Sequence, residues 1–122
     1  MGGNGNDPVQ GRTSEAPLLH SQRHRLPTRR NSCVFDLWFE GQRYFVGYSR
    51  YGYFGPIAEA FVWGPKVGSQ MDAILATSMT SLSIALQSGV PLRELAESAL
   101  RKEDGEPADL IGAILDALVR EG

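Results

Sequence analysis

The 122-residue chain is 42% apolar and 21% charged, with a formal net charge of −2 and one cysteine. That length suits one domain with one modest core, and no apolar run reaches the roughly 20 residues that span a bilayer. A single thiol excludes an internal disulfide and a cysteine-based zinc site. The N-terminal residues lack the apolar h-region of a secretory signal, so a cytoplasmic address is expected, with no membrane partner.

The charge is unevenly spread. Residues 1–31 hold five arginines and two acids, and residues 32–122 hold seven basic and twelve acidic groups. An offset of this size reads as solvated surface, and a nucleic-acid partner is not expected. Residues 1–25, rich in Gly, Asn, Ser, Pro, Gln and Arg, read as a disordered leader. His20 and His24 lie four apart, but no third ligand accompanies them, and no metal site is expected.

An ordered domain is predicted over residues 26–122. From Ser32 the pattern takes period two. Cys33, Phe35, Leu37 and Phe39 alternate with Val34, Asp36, Trp38 and Glu40, which makes a strand with Cys33 on the core side. Glu40-Gly41 reads as a two-residue primed hairpin loop. Gln42–Tyr48 is the return strand, with Tyr44, Val46 and Tyr48 on one face and Gly47 where a neighbour can pack closely. After the Tyr51–Pro56 connection, Ile57–Trp63 gives a third strand, with Ile57, Glu59, Phe61 and Trp63 on one side.

Beyond Gly64-Pro65 the period becomes 3.6. Ser69 and Asp72 suit a capping box, and Met71, Leu75, Met79, Leu82 and Leu86 form an apolar stripe. Ile74, Ser78, Ser81 and Ala85 form a neighbouring stripe of mostly small residues. Gly89 is placed to stop this helix in the left-handed region. Pro91 opens a second helix, expected to run to about Lys102. Pro107 opens a third, with Leu110, Ile111, Ile114, Leu115 and Leu118 inward. Burial then gives an α+β fold: a three-stranded antiparallel sheet covered on one face by three helices. Trp38, Phe45 and Trp63 exceed what one covered face holds. Any aromatic left outside marks a partner surface, with Trp38 and Trp63 as candidates.

Reactive groups do not converge. Asp36 and Glu40 stand about 13 Å apart at strand rise, too far for a carboxylate pair. Glu59, between Ala58 and Ala60, suits an arginine partner across the sheet, with Arg43 or Arg50 as the natural choice; the competing reading is a base with a raised pKa. Lys66, ahead of a helix N-terminus, suits an anion or plain solvent. Arg29 and Arg30, ahead of the first strand, suit either a bidentate anion clamp or a basic edge that resists aggregation. Cys33 reads as a buried, inert thiol. No catalytic residue is assigned, and catalysis by this chain alone is not expected.

Four elements in order resemble the region that follows the barrel in cobalamin-dependent (class II) ribonucleotide reductases, the TSCPD domain. They are Leu26-Pro27-Thr28-Arg29-Arg30, Gly55-Pro56-Ile57-Ala58-Glu59-Ala60-Phe61, Lys66-Val67-Gly68, and the run Ser81–Leu92 that contains Leu86-Gln87-Ser88-Gly89-Val90-Pro91. The chain departs from that family in lacking the Thr-Ser-Cys-Pro-Asp string, the barrel and the reducing cysteines. The resemblance therefore implies a fold and an association with deoxyribonucleotide synthesis. It implies an accessory or regulatory module that partners a reductase, with cobalamin only by association and no cofactor bound by this chain. Arg29, Arg30, Glu59, Lys66 and Gln87 are its polar candidates for partner or anion contact. A small nucleotide- or phosphate-binding domain and a non-catalytic oligomerisation module are the alternatives.

Overall fold

The computed structural model describes residues 22–65 and 69–122. Most of the expected leader, including His20, lies outside the described residues. So do Lys66 and the Ser69 side chain of the expected capping box. The elements run β1 (Ser32–Phe39), β2 (Gln42–Arg50), β3 (Ile57–Trp63), α1 (Ser69–Gln87), α2 (Leu92–Glu97) and α3 (Leu110–Glu121). The three strands form one antiparallel sheet in the order β1-β2-β3. α1 packs on β3, α3 packs beneath β1, and α2 packs on α3.

The hairpin turn follows from its two residues. Glu40 and Gly41 both take positive φ, 50° and 80°, the conformation that matches the right-handed twist of the flanking strands. A two-residue loop makes Phe39 and Gln42 a hydrogen-bonded pair, and pairs of that kind recur at every second position. Leu37–Tyr44, Phe35–Val46 and Cys33–Tyr48 therefore carry the ladder. Val34, Asp36 and Trp38 direct their N–H and C=O groups to the outer edge of β1.

The core lies between the sheet and the helices. Val46, Ile114 and Leu118 are fully buried at its centre, with Tyr48, Met79, Leu82 and Leu86 around them. Each such aliphatic side chain contributes about 1.5–3 kcal/mol by leaving water. Tyr48 also ties strand to helix: its ring packs against Phe35 at 6.1 Å, and its hydroxyl donates to Glu121 Oε1 at 2.9 Å. Arg50 donates to the Glu121 carbonyl at 2.7 Å, fixing the end of α3 on β2.

Several expectations need correction. In β3, Glu59, Phe61 and Trp63 share one face, with Ala58, Ala60 and Val62 inward, but Ile57 is not on that shared face. Ile57 joins the core because the register shifts between Ser49 and Arg50; that bulge turns Ile57 to the opposite face from Phe61 and Trp63. Cys33 has the parity of Phe35, but it sits at the start of β1 and its thiol is exposed. Met71 heads the expected apolar stripe of α1 and is exposed, whereas Leu75, Met79, Leu82 and Leu86 are buried.

α2 stops at Glu97, short of Lys102. The chain there makes a tight turn, with Lys102 N donating to the Glu106 carbonyl at 2.8 Å and Gly105 at φ 89°. Pro107 bridges to Arg101 and does not open α3. Asp109 caps that helix, its Oδ1 accepting from Gly112 N at 2.8 Å. Gly89, at φ 99°, ends α1 as its sequence position requires.

Candidate functional site

The sheet has one covered face and one open face. Parity along the strands puts Val34, Asp36 and Trp38 of β1, Arg43, Phe45 and Gly47 of β2, and Glu59, Phe61 and Trp63 of β3 on the open side. No helix among the described residues packs there. The aromatics gather at the hairpin end. Trp38 stands opposite Arg43, and Phe45 stands opposite Trp63. Trp38 is 65% exposed, Trp63 51% and Phe45 39%. Phe61 closes the group with its ring 4.8 Å from that of Trp63, edge to face. Together these side chains form an exposed apolar patch on the open face.

The charges on this face are matched within the chain. Arg43 donates to Asp36 at 2.7 Å, and its guanidinium lies 4.8 Å from the centre of the Phe45 ring. Arg30 holds Glu59 with two bonds, Nε to Oε2 at 2.8 Å and Nη2 to Oε1 at 3.1 Å. The face is therefore an aromatic centre flanked by two ion pairs closed within the chain.

The partner of Glu59 is thus Arg30, not Arg43 or Arg50. Arg50 turns instead to the Gly55 and Glu121 carbonyls. The Arg30 hydrogen bond outweighs burial and holds the Glu59 carboxyl below its ordinary value, so it stays ionised rather than becoming a raised-pKa base. Arg30 also donates to the Pro27 carbonyl at 2.6 Å, which fixes the Leu26–Arg30 element against the sheet. Arg29 is exposed.

Gln87 has a different task. It is buried, donates from Nε2 to the Ala58 carbonyl at 3.0 Å, and accepts from Arg23 Nε at 2.7 Å. One turn earlier, Ser83 Oγ accepts from Ala60 N at 3.0 Å and reaches the Ala60 and Met79 carbonyls. The outward Ala58 carbonyl and the outward N–H and C=O of Ala60 are thereby bonded by two side chains of α1, which stand where a fourth strand would pair. Ser83 was not singled out from sequence, because a serine among small residues on a helix gives no sign of what it meets. Arg23 was missed because it falls in the expected leader. His24 N donates to the Gln87 carbonyl at 2.8 Å, and Tyr51 Oη donates to the His24 carbonyl, so attachment to the body begins before residue 26.

Of the polar candidates, Glu59 and Gln87 line one groove of about 350 Å³ between β3 and α1, and Arg30 reaches it through Glu59. Among the described residues, no three His, Cys, Asp or Glu groups come together to hold a metal ion, and no helix is long and apolar enough to cross a membrane. Phe54, 99% exposed at the tip of the β2–β3 connection, is a further exposed apolar side chain that the sequence did not single out. No protein-family model, curated protein or solved structure matches the chain.

Proposed function

We propose that this chain is a non-catalytic accessory module that docks on a large partner protein through the open aromatic face of its sheet. The observation that carries the reading is the set Trp38, Phe45 and Trp63 at one end of that face, exposed and rimmed by ion pairs already satisfied within the chain. Aromatic anchors inside a polar rim are the side chains on which interface energy concentrates. The order of the elements from Leu26 to Leu92, which resembles the TSCPD region of cobalamin-dependent ribonucleotide reductases, supports a reductase as that partner and a regulatory role in deoxyribonucleotide synthesis.

The test is calorimetric titration of the full chain into a purified cobalamin-dependent reductase. The reading expects a saturable complex that Trp38→Ser with Trp63→Ser weakens by at least about tenfold, or about 1.4 kcal/mol. Both side chains lie outside the core, so the variant keeps its fold, which circular dichroism checks. Binding that the double variant leaves unchanged contradicts the aromatic face as the docking surface. No binding at all contradicts the reductase as partner.

A further inference from the structure

The two edges of the sheet are treated differently. On β3, α1 supplies Ser83 and Gln87 to the outward backbone groups of Ala60 and Ala58. On β1, no described hydrogen bond reaches the outward N–H and C=O groups of Val34, Asp36 and Trp38. Natural edge strands are blunted by lysine, proline, bulges or short length. β1 runs eight residues, Ser-Cys-Val-Phe-Asp-Leu-Trp-Phe, pairs with β2 without a bulge, and has Asp36 as its one charge. Asp36 is neutralised by Arg43.

From this edge we infer that β1 pairs antiparallel with β1 of a second copy, joining two sheets into one of six strands. A strand related to itself by a two-fold axis meets its own sequence reversed, and β1 suits that reversal. With Asp36 on the axis, Val34 lies beside Trp38 of the second copy on the open face. Phe35 then lies beside Leu37, and Cys33 beside Phe39, on the helix side. The outward residues Val34, Asp36 and Trp38 form three hydrogen-bonded pairs with Trp38, Asp36 and Val34, for about six new bonds across roughly 13 Å of strand. The two Asp36 carboxylates that meet on the axis each bring an Arg43, so the four charges cancel.

The helix side leaves room for this. A groove of about 400 Å³ runs beside the edge, lined by Leu37, Phe39, Lys102, Glu106 and Pro107 among others. The neighbouring Cys33 and Phe35 side chains extend the apolar layer there. Edge pairing leaves the aromatic faces open and places the two side by side. The inference is thus independent of the docking role proposed above, and either can fail alone.

Sedimentation velocity of the full chain from about 1 to 200 μM tests it. Dissociation in about the micromolar range is expected for a single-strand interface, so the mass rises with concentration from 13.3 kDa toward twice that value. Val34→Pro removes one outward N–H while sparing the ladder to β2, and is expected to weaken association at least about tenfold. Asp36→Cys in a Cys33→Ser background places two thiols at a hydrogen-bonded pair, where the roughly 5.5 Å Cα separation suits a disulfide. A covalent dimer is expected on mild oxidation. Should Val34→Pro fail to fold, that cross-link alone decides. A monomer over the whole range, a dimer indifferent to a folded Val34→Pro, or no cross-link overturns the inference.

Discussion

Phe61 lays its ring across the strand over Gly47: a Cβ at Gly47 would fall inside the van der Waals surface of the ring. The same ring meets Trp63 edge to face at 4.8 Å. A missing side chain in the central strand thus seats one aromatic and orients a second, and the open face is flattened where it is most apolar.

Gly47→Ala therefore sets two effects against each other. Alanine gains about 0.5–1 kcal/mol over glycine inside a strand, but it must push the Phe61 ring off its seat, an overpacking penalty of about 1–3 kcal/mol. Net destabilisation near 1 kcal/mol is expected in urea melts, with a change in emission as the Trp63 environment alters. A stabilised Gly47→Ala with unchanged emission contradicts this account of the contact.

Ser83→Ala tests the sealed edge. The Ala60 N–H loses its acceptor at a partly buried site, and leaving such a donor unpaired costs about 1–3 kcal/mol. Amide exchange at Ala60 should accelerate by about tenfold or more, while amides of α3 such as Leu118 change only with global stability. Equal acceleration at both sites would mean that Ser83 stabilises the fold at large and not the edge.

Acid should reveal the Arg30–Glu59 pair. The folded-state Glu59 carboxyl is held below its unfolded value by the Arg30 hydrogen bond, and Asp116 is held down likewise by Arg101. A lowered folded value means that the unfolded chain takes up protons first as the pH falls. The stabilisation is complete above the unfolded carboxylate range and is lost below about pH 4.5 as the folded groups protonate. Glu59→Gln should flatten the acid limb of the stability–pH curve. The coupling between Arg30 and Glu59 in a double-mutant cycle should be near the top of the 0.2–1 kcal/mol range for exposed pairs, because the geometry is bidentate. A Glu59→Gln curve parallel to that of the parent would count against the pair.

Much of this fold can be read from residue pattern alone, for identifiable reasons. Glu40-Gly41 and Gly89 announce their turns because their positions demand positive φ, and both take it. Period-two alternation locates β1 and β2 because one face of each is buried. β3 misled because its apolar residues are near-continuous: alternation assigns Ile57, Phe61 and Trp63 to one face, and the bulge between Ser49 and Arg50 separates them. α2 ends at Glu97 and not near Lys102, because the Gly105 turn closes by hydrogen bonds that residue pattern does not show. Glu59 was visible as an unusual position between two alanines, and Gln87 entered only through the family resemblance. Their partners, Arg30 and Arg23, were not visible, since a pairing between distant residues needs the register and the path of the chain across the end of the sheet. The surplus of aromatics was legible as a matter of space: Trp38, Phe45 and Trp63 all stand on the open face.

The chain holds two tryptophans, and both lie on the face proposed above to meet the partner, so their emission would report on docking directly. Titration of a tryptophan-free segment of the reductase surface, or of whole reductase with its own emission subtracted, should shift the emission of Trp38 and Trp63 to shorter wavelength and protect it from iodide quenching. Emission and quenching that stay unchanged while a complex forms would place the contact elsewhere and contradict the open sheet face as the working surface of this protein.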